Sequence, residues 1–362
     1  MDTLPKPLTW RDYAMAPLRF PHLLRYQKWT LQRLYDHLGL PARLQTVLAG
    51  QAGDYLLPPA EVSLMLHVAL VRGYDRGAYY PKKHFQHLVG SIADFIRAQP
   101  GCEIRLNQTV DRIVVERGRV TGVRTTDGTV HTAARYVSNV DPARTAELAT
   151  GADFPAAYRA RLRYPYSSGN ITLYLGVEGI DLRDHGFGSW NVWHYPTDDI
   201  NAIYRRQLVG QDYSDPWLFM STPTLHTDAP GLCPPGHQIL ELATSAPYAP
   251  WRTLRDTDRR RYNLEKKRVR DRLVQIVEER YVPGLSKHLA IRVMGTPATN
   301  ERFCNAPAGN AYGVALTPSF VGPQRLPHET PLRNLWLVNA TAGYPSVAGT
   351  VRAGLELHAE LS

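Results

Sequence analysis

Residues 331–362 constrain the fold of this chain more than any other stretch, because they read as a strand, a tight loop and a helix. Leu335, Trp336, Leu337 and Val338 are a short apolar, partly β-branched run bounded by loop residues, the pattern of a buried strand. Between Asn339 and Ser346, Gly343 and Pro345 break any continuing period. From Val347 onward, Val351, Leu355, Leu357 and Leu361 fall on one side of a helix, and the small Ala348, Gly349, Ala353 and Gly354 allow close packing. A loop entering a helix N-terminus presents free N–H groups and a positive dipole end, so it suits an anion or an electron-rich ring edge. The same residues also suit an ordinary strand–helix unit.

A chain of 362 residues can bury a large core and form two or three domains. Its 43% hydrophobic and 21% charged residues are those of a globular protein. The longest apolar run, Val62 to Val71, is interrupted by Ser63 and His67 and is too short to span a bilayer. The first residues hold Asp2, several prolines and no apolar h-region, so no secretory signal is expected. Cys102, Cys233 and Cys304 form no CxxC pair, which disfavours a disulfide framework or a zinc site and points to the cytoplasm. The thirteen histidines show no ligand spacing, so no metal is expected. Lys plus Arg exceed Asp plus Glu by 42 − 33 = 9, a balance that favours a phosphate-bearing cofactor or an anionic surface. The excess is spread along the chain without a nucleic-acid-binding motif. Nucleic acid is therefore not expected as a partner, whereas weak peripheral contact with a membrane surface is.

Residues 1–76 read as mainly helical, with Leu23, Leu24, Leu31, Leu34 and Leu38 at helical spacing before Gly39 and Pro41. A second helix is expected over Glu61 to Val71, after Pro58-Pro59. Trp10, Tyr13, Phe20, Tyr26 and Trp29 are expected in the core. Residues 77–142 contain a helix with Phe85, Leu88, Val89, Ile92, Phe95 and Ile96 on one face. A strand over Glu103–Asn107 follows, then strands over Val110–Glu116, Arg119–Thr125 and Val130–Ala134, and one from Arg135 ending in a loop at Pro142. Residues 143–290 carry strands at Ile171–Val177, Leu218–Ser221 and Gln238–Thr244. They also hold a Gly-, Trp- and Tyr-rich lid or surface hairpin, Gly186–Tyr213, and one long basic helix over Arg252–Arg280. Residues 291–362 hold Thr299 as a helix cap and the glycine-interrupted loop Ala308–Pro318, where backbone can approach a ligand.

In order and spacing, Gly77-Ala-Tyr-Tyr-Pro-Lys, the Ile104–Asp141 meander, Gly295-Thr-Pro-Ala-Thr, Gly309-Asn-Ala-Tyr-Gly, Leu316-Thr-Pro and Asn334–Gly354 resemble the phytoene desaturase and retinol saturase group of FAD-dependent oxidoreductases. The resemblance implies an α/β fold with a Rossmann-like FAD-binding domain carrying a β-meander. A second, α+β substrate domain would add a mixed or antiparallel sheet, helices and a cavity for an apolar, isoprenoid-type small molecule. On that pattern, 77–142 and 291–362 belong to the FAD-binding domain, and 1–76 with 143–290 to the substrate domain. The flavin would face Ala340, Thr341, Ala342, Gly343, Pro345 and Ser346 in the loop, and Val347, Ala348, Gly349 and Thr350 at the helix start. Val110 matches a position whose backbone meets the adenine.

Two departures stand out. No Gly-x-Gly-x-x-Gly occurs, so the chain reads as beginning past the family's first strand–turn–helix unit, and Lys83-His84 replaces a Gly-Gly pair after Pro81. Two functions follow as expectations. The first is an oxidoreductase that desaturates or saturates carbon–carbon bonds of a carotenoid-like substrate. The second is a non-catalytic, N-truncated homologue acting as an apolar-ligand carrier or partner subunit, as a homo-oligomer or with an N-terminal partner chain. No catalytic base is assigned. His84, His194 and Tyr312 have suitable chemistry, but each also suits a structural place.

Overall fold

The computed structural model describes residues 15, 18, 19, 21–75 and 77–362. Trp10, Tyr13 and Phe20, expected in the core, lie outside the described residues. The first described helices are α1 (Pro21–Tyr26), α2 (Leu31–His37), α3 (Ala42–Leu48) and α4 (Leu64–Tyr74). The leucine repeat expected to form one helix is thus two. The break is at Thr30, whose side chain accepts from Arg33 N–H at 3.2 Å and starts α2 anew. The second helix begins at Leu64, because Val62 and Ser63 instead pair with the Thr30 and Leu316 segments.

Next come α5 (His84–Arg97), β1 (Val110–Glu116), β2 (Arg119–Thr125), β3 (Val130–His131) and β4 (Tyr136–Ser138). β1, β2 and β3 form an antiparallel meander. The strand expected at Glu103–Asn107 does not form, since no neighbouring strand among the described residues takes its backbone groups. β3 stops at His131 rather than Ala134, and Pro142 opens α6 (Pro142–Leu148) instead of a loop. There the fixed φ of proline suits the first helical turn, and Asp141 caps it. The helix expected with Phe85, Val89, Ile92, Phe95 and Ile96 on one face is α5, and these side chains are exposed.

After α7 (Ala156–Arg161) the chain builds its largest layer from β5 (Gly169–Glu178), β6 (Val192–His194), α8 (Ile200–Leu208), β7 (Leu218–Ser221) and β8 (His237–Ala246). It continues with α9 (Tyr248–Thr257), α10 (Arg259–Arg280), β9 (Leu289–Gly295) and α11 (Pro297–Cys304). The antiparallel sheet has the order β6-β7-β8-β5-β9. β5 alternates strictly: Ile171, Leu173, Leu175 and Val177 are buried, as are Leu240 and Leu242 of β8, Leu218 and Met220 of β7, and Val269, Leu273, Ile276 and Val277 of α10. Period two on the sheet meets period 3.6 on the helix in one core.

Three expectations change here. Gly186–Tyr213 is neither lid nor hairpin, because it supplies β6 to the sheet and α8 to the core through Ile200, Ile203 and Tyr204. The basic helix is two helices, broken where Asp258 (φ −147°, ψ 86°) caps Arg261 N–H at 2.8 Å. Thr299 is not the cap of α11. Thr296 is, and Thr299 returns the bond to the Thr296 N–H at 3.0 Å as its capping-box partner.

The chain ends with β10 (Leu335–Leu337) and α12 (Val347–Leu361). β10 runs parallel to β4, with Leu335, Trp336 and Leu337 opposite Tyr136, Val137 and Ser138. Asn334 locks this pair to the meander: it accepts from Val120 N–H at 2.8 Å and donates to Val120 O at 2.9 Å and Ala134 O at 3.2 Å. In α12 it is Ala353 and Leu357 that are buried, while Val351 and Leu355, expected on the packed side, are exposed.

Candidate functional site

The two parallel strands decide where the site lies. Beyond the carboxyl ends of such strands the chain must turn away, and the diverging loops open a crevice. Here the loops are Asn139–Asp141 after β4 and Asn339–Thr341 after β10, and both line a cleft of about 780 Å³. That volume falls within the range of small-molecule and cofactor sites.

The loops brace one another. Asn339 donates to Val140 O at 2.9 Å, and its side-chain oxygen accepts from Thr341 N–H at 3.1 Å and Ala342 N–H at 2.8 Å. Val338 N–H reaches Ser138 O at 3.0 Å. Asp141 caps α6 through Ala143 and Arg144 and accepts from Tyr164 Oη at 3.1 Å and Tyr166 Oη at 3.0 Å. Its carboxylate is therefore fully engaged in structure. Behind the second loop stands Arg325, buried and without a carboxylate partner among the described residues, donating to Phe320 O and Ala340 O and lying 4.4 Å over the Tyr344 ring. Burial pushes its guanidinium down to about 10.

A third loop, Asn310–Gly313, closes the side of the cleft. Asn310 accepts from Gly313 N–H at 2.7 Å, and the Thr341 hydroxyl accepts from Val314 N–H at 3.2 Å. Gly313 has φ +74°, and a Cβ there would overlap the Thr341 side chain, so glycine is required twice over.

The lining is also aromatic: Trp193 of β6, Phe219 of β7 and Tyr312, with the buried Trp217 beside Trp193. Trp193 and Phe219 rings are 4.9 Å apart. Gly53 packs so closely against Trp193 and Trp217 that a Cβ would overlap both rings, and it carries Asp54 to the cleft surface. Burial raises the Asp54 carboxyl from 3.8 to about 6, partly offset by the Tyr74 hydroxyl at 3.4 Å. Burial likewise raises the Tyr312 hydroxyl to about 12.

Of the residues the sequence singled out, Ala340, Thr341 and Thr350 line the cleft, as does Tyr312. Ala342 is buried beneath the loop, and Gly343 fits against Ala353 of α12. Ser346 caps α12 by accepting from Gly349 N–H at 2.9 Å. Helix geometry leaves the N–H groups of Val347 and Ala348, beside Pro345, without an intrahelical acceptor. Val110 lies at the start of β1, away from the cleft lining. His84 opens α5, also outside the lining, and His194 is buried against Tyr281 Oη at 2.9 Å. Sequence reasoning missed Asp54, Asn139–Asp141 and the aromatic lining. The rings come from side chains on three separated segments, a grouping that only the sheet order produces.

Can these residues hold a flavin? The loops at the strand ends offer a braced polar rim, α12 begins beside it with Thr350 in the lining, its Val347 and Ala348 amides lack an intrahelical acceptor, and a buried cation stands behind the Ala340 carbonyl. This donor set fits the electron-rich edge of an isoalloxazine ring.

Comparison with known proteins bears on the same question. The sequence profile of the family described as "Flavin containing amine oxidoreductase" matches residues 30–271. The chain is 26% identical over 371 residues to a lycopene-forming phytoene desaturase of Pseudescherichia vulneris, covering 98% of this chain and 70% of that protein. It is 22% identical over 354 residues to the all-trans-retinol 13,14-reductase of Danio rerio, covering 93% of this chain and 58% of that one. Among solved structures, an oxidoreductase from Methanosarcina mazei superposes with a TM-score of 0.62 at 18% identity, over 99% of this chain and 75% of the other, which establishes likeness of fold.

Proposed function

Since the chain belongs to the flavin containing amine oxidoreductase family, we propose that it is an FAD-dependent oxidoreductase acting on carbon–carbon bonds of a long, apolar, isoprenoid-type substrate. The observation that carries this reading is a cleft whose lining joins two unlike sets of residues: braced polar loops at the ends of β4 and β10, and a group of aromatic side chains.

In this proposal Asn139–Val140, Asn339–Thr341 and the first turn of α12 at Thr350 hold the ring. When bound, the flavin supplies two-electron hydride chemistry that no side chain provides. The chain's own residues do the rest. Asn339 fixes the loop by its three hydrogen bonds. Gly313 keeps the floor free of side chain. Trp193, Phe219 and Tyr312, backed by the buried Trp217, offer apolar ring surface to a polyene and exclude water from it. Arg325 adds positive charge behind the ring-side loop, the sign that favours electron uptake. No helix among the described residues is long and apolar enough to cross a membrane. Peripheral contact with a bilayer, from which such a substrate would be drawn, is part of the proposal.

The names of the two curated relatives supply the probes. The chain reconstituted with FAD is offered phytoene in liposomes under oxidising conditions, and all-trans-retinol with reduced flavin. Conversion of either polyene, followed by its absorption spectrum, is the expected outcome and gives the direction of reaction. Oxidation of a simple amine with neither polyene converted would contradict the proposal.

A further inference from the structure

Asp54 and Asp141 are both in the cleft lining, and their situations differ. Asp141 receives four donors and caps a helix. Asp54 receives one side-chain donor, Tyr74 Oη, at 3.4 Å, near the limit of a hydrogen bond. Among the described residues no lysine or arginine pairs with it. Its place is nonetheless rigid. The 3₁₀ turn Ala52–Tyr55 that carries it is pressed against Trp193 and Trp217 at Gly53, and is held by Tyr204 Oη on Ala52 O at 3.1 Å and Tyr195 Oη on Gly50 O at 3.0 Å. The groups that feel its charge are the phenols of Tyr55, Tyr74, Tyr195, Tyr204 and Tyr312, all held neutral by burial. A carboxyl fixed in an aromatic cleft, with one weak donor among the described residues, is set toward whatever enters.

We propose that Asp54 is the acid–base group of this site, exchanging a proton with the carbon chain of a substrate laid along Trp193 and Phe219. The inference rests on the functional reading above and adds the residue that reading lacks. When a double bond forms, the C–H bond next to the hydride-losing carbon breaks, and its electron pair becomes the π bond. The proton goes to an Asp54 carboxylate oxygen, while the hydride passes to the two-electron acceptor, a flavin. In the reverse direction the protonated carboxyl returns that proton as the hydride is delivered. With its ionisation near 6, the carboxyl is present in both forms close to neutral pH, as either direction requires.

The test has an arm that needs no cofactor. In the flavin-free chain, the fluorescence of the cleft tryptophans titrates with a midpoint near 6. That transition vanishes in Asp54→Asn, moves upward in Tyr74→Phe, which removes the lowering hydrogen bond, and survives His67→Gln. His67, bonded to Tyr55 Oη at 3.1 Å, is the neighbouring imidazole, whose ionisation burial pushes below its ordinary value. In the FAD-loaded chain with phytoene or retinol, Asp54→Asn lowers kcat by about 100-fold or more at nearly unchanged KM, and Asp54→Glu restores part of it with a displaced pH profile. Wild-type kcat and pH profile in Asp54→Asn would overturn the proposal alone, as would a tryptophan titration indifferent to Asp54. If the wild-type chain converts neither polyene, the functional reading falls and the proposal with it.

Discussion

At the scale of single residues, the site is set by short polar side chains that join segments distant in sequence. Asn334 and Asn339 flank β10, and each binds backbone of a segment some two hundred residues earlier. An asparagine in a loop carries no sign of this in sequence, because its partners come from folding. Asp54 was illegible for the same reason: its carboxyl is unusual only through the burial that other segments impose. That burial gives a pH signature. The folded chain holds a proton on Asp54 up to about pH 6, whereas the unfolded chain releases it near 3.8, so stability falls as pH rises through this window. Above it the ionised, desolvated carboxylate costs about 3 kcal/mol. Asp54→Asn should therefore raise Tm relative to wild type at about pH 8 and leave it unchanged at about pH 3.5, by scanning calorimetry. An equal effect at both pH values would assign the change to packing instead.

At the scale of elements, periodicity served well where a strand or helix has a single buried face. The alternation of Ile171–Val177 and the short run Leu335–Val338 became β5 and β10 as expected. It failed at boundaries and at partners. Asp258 divides a helix whose residue pattern runs on, because a local side-chain cap outcompetes helix continuation. Glu103–Asn107 has a strand's alternation but no strand beside it. Phe85, Val89, Ile92 and Phe95 have the period of a core face and are exposed, since amphipathicity specifies a face and not what covers it. β5 is the element on which the large sheet depends, paired with β8 on one side and β9 on the other. Leu173→Ala, at a fully buried position in it, should cost about 3 kcal/mol, read as a lower urea midpoint with unchanged m. A loss below about 1 kcal/mol would mean that the sheet and α10 close around the cavity.

At the scale of the whole molecule, the loops after the parallel strand pair and the edge of the large antiparallel sheet line one cleft. The C-terminal strand–loop–helix contributes its loop to the lining, and the sheet contributes the aromatic side chains. Sequence motifs pointed to the loop through Ala340, Thr341 and Thr350. The aromatic side chains were out of their reach, because Trp193, Trp217 and Phe219 adjoin only once β6 pairs with β7. The most direct test of the account is whether this cleft takes a flavin. FAD is titrated into the purified chain while tryptophan fluorescence and the visible flavin band are followed, in wild type and in Thr341→Trp, which fills the ring-side wall. The account predicts saturable one-to-one quenching with a shifted flavin band in wild type, and its loss in the variant. Absence of saturable binding, or binding that Thr341→Trp leaves intact, would contradict it.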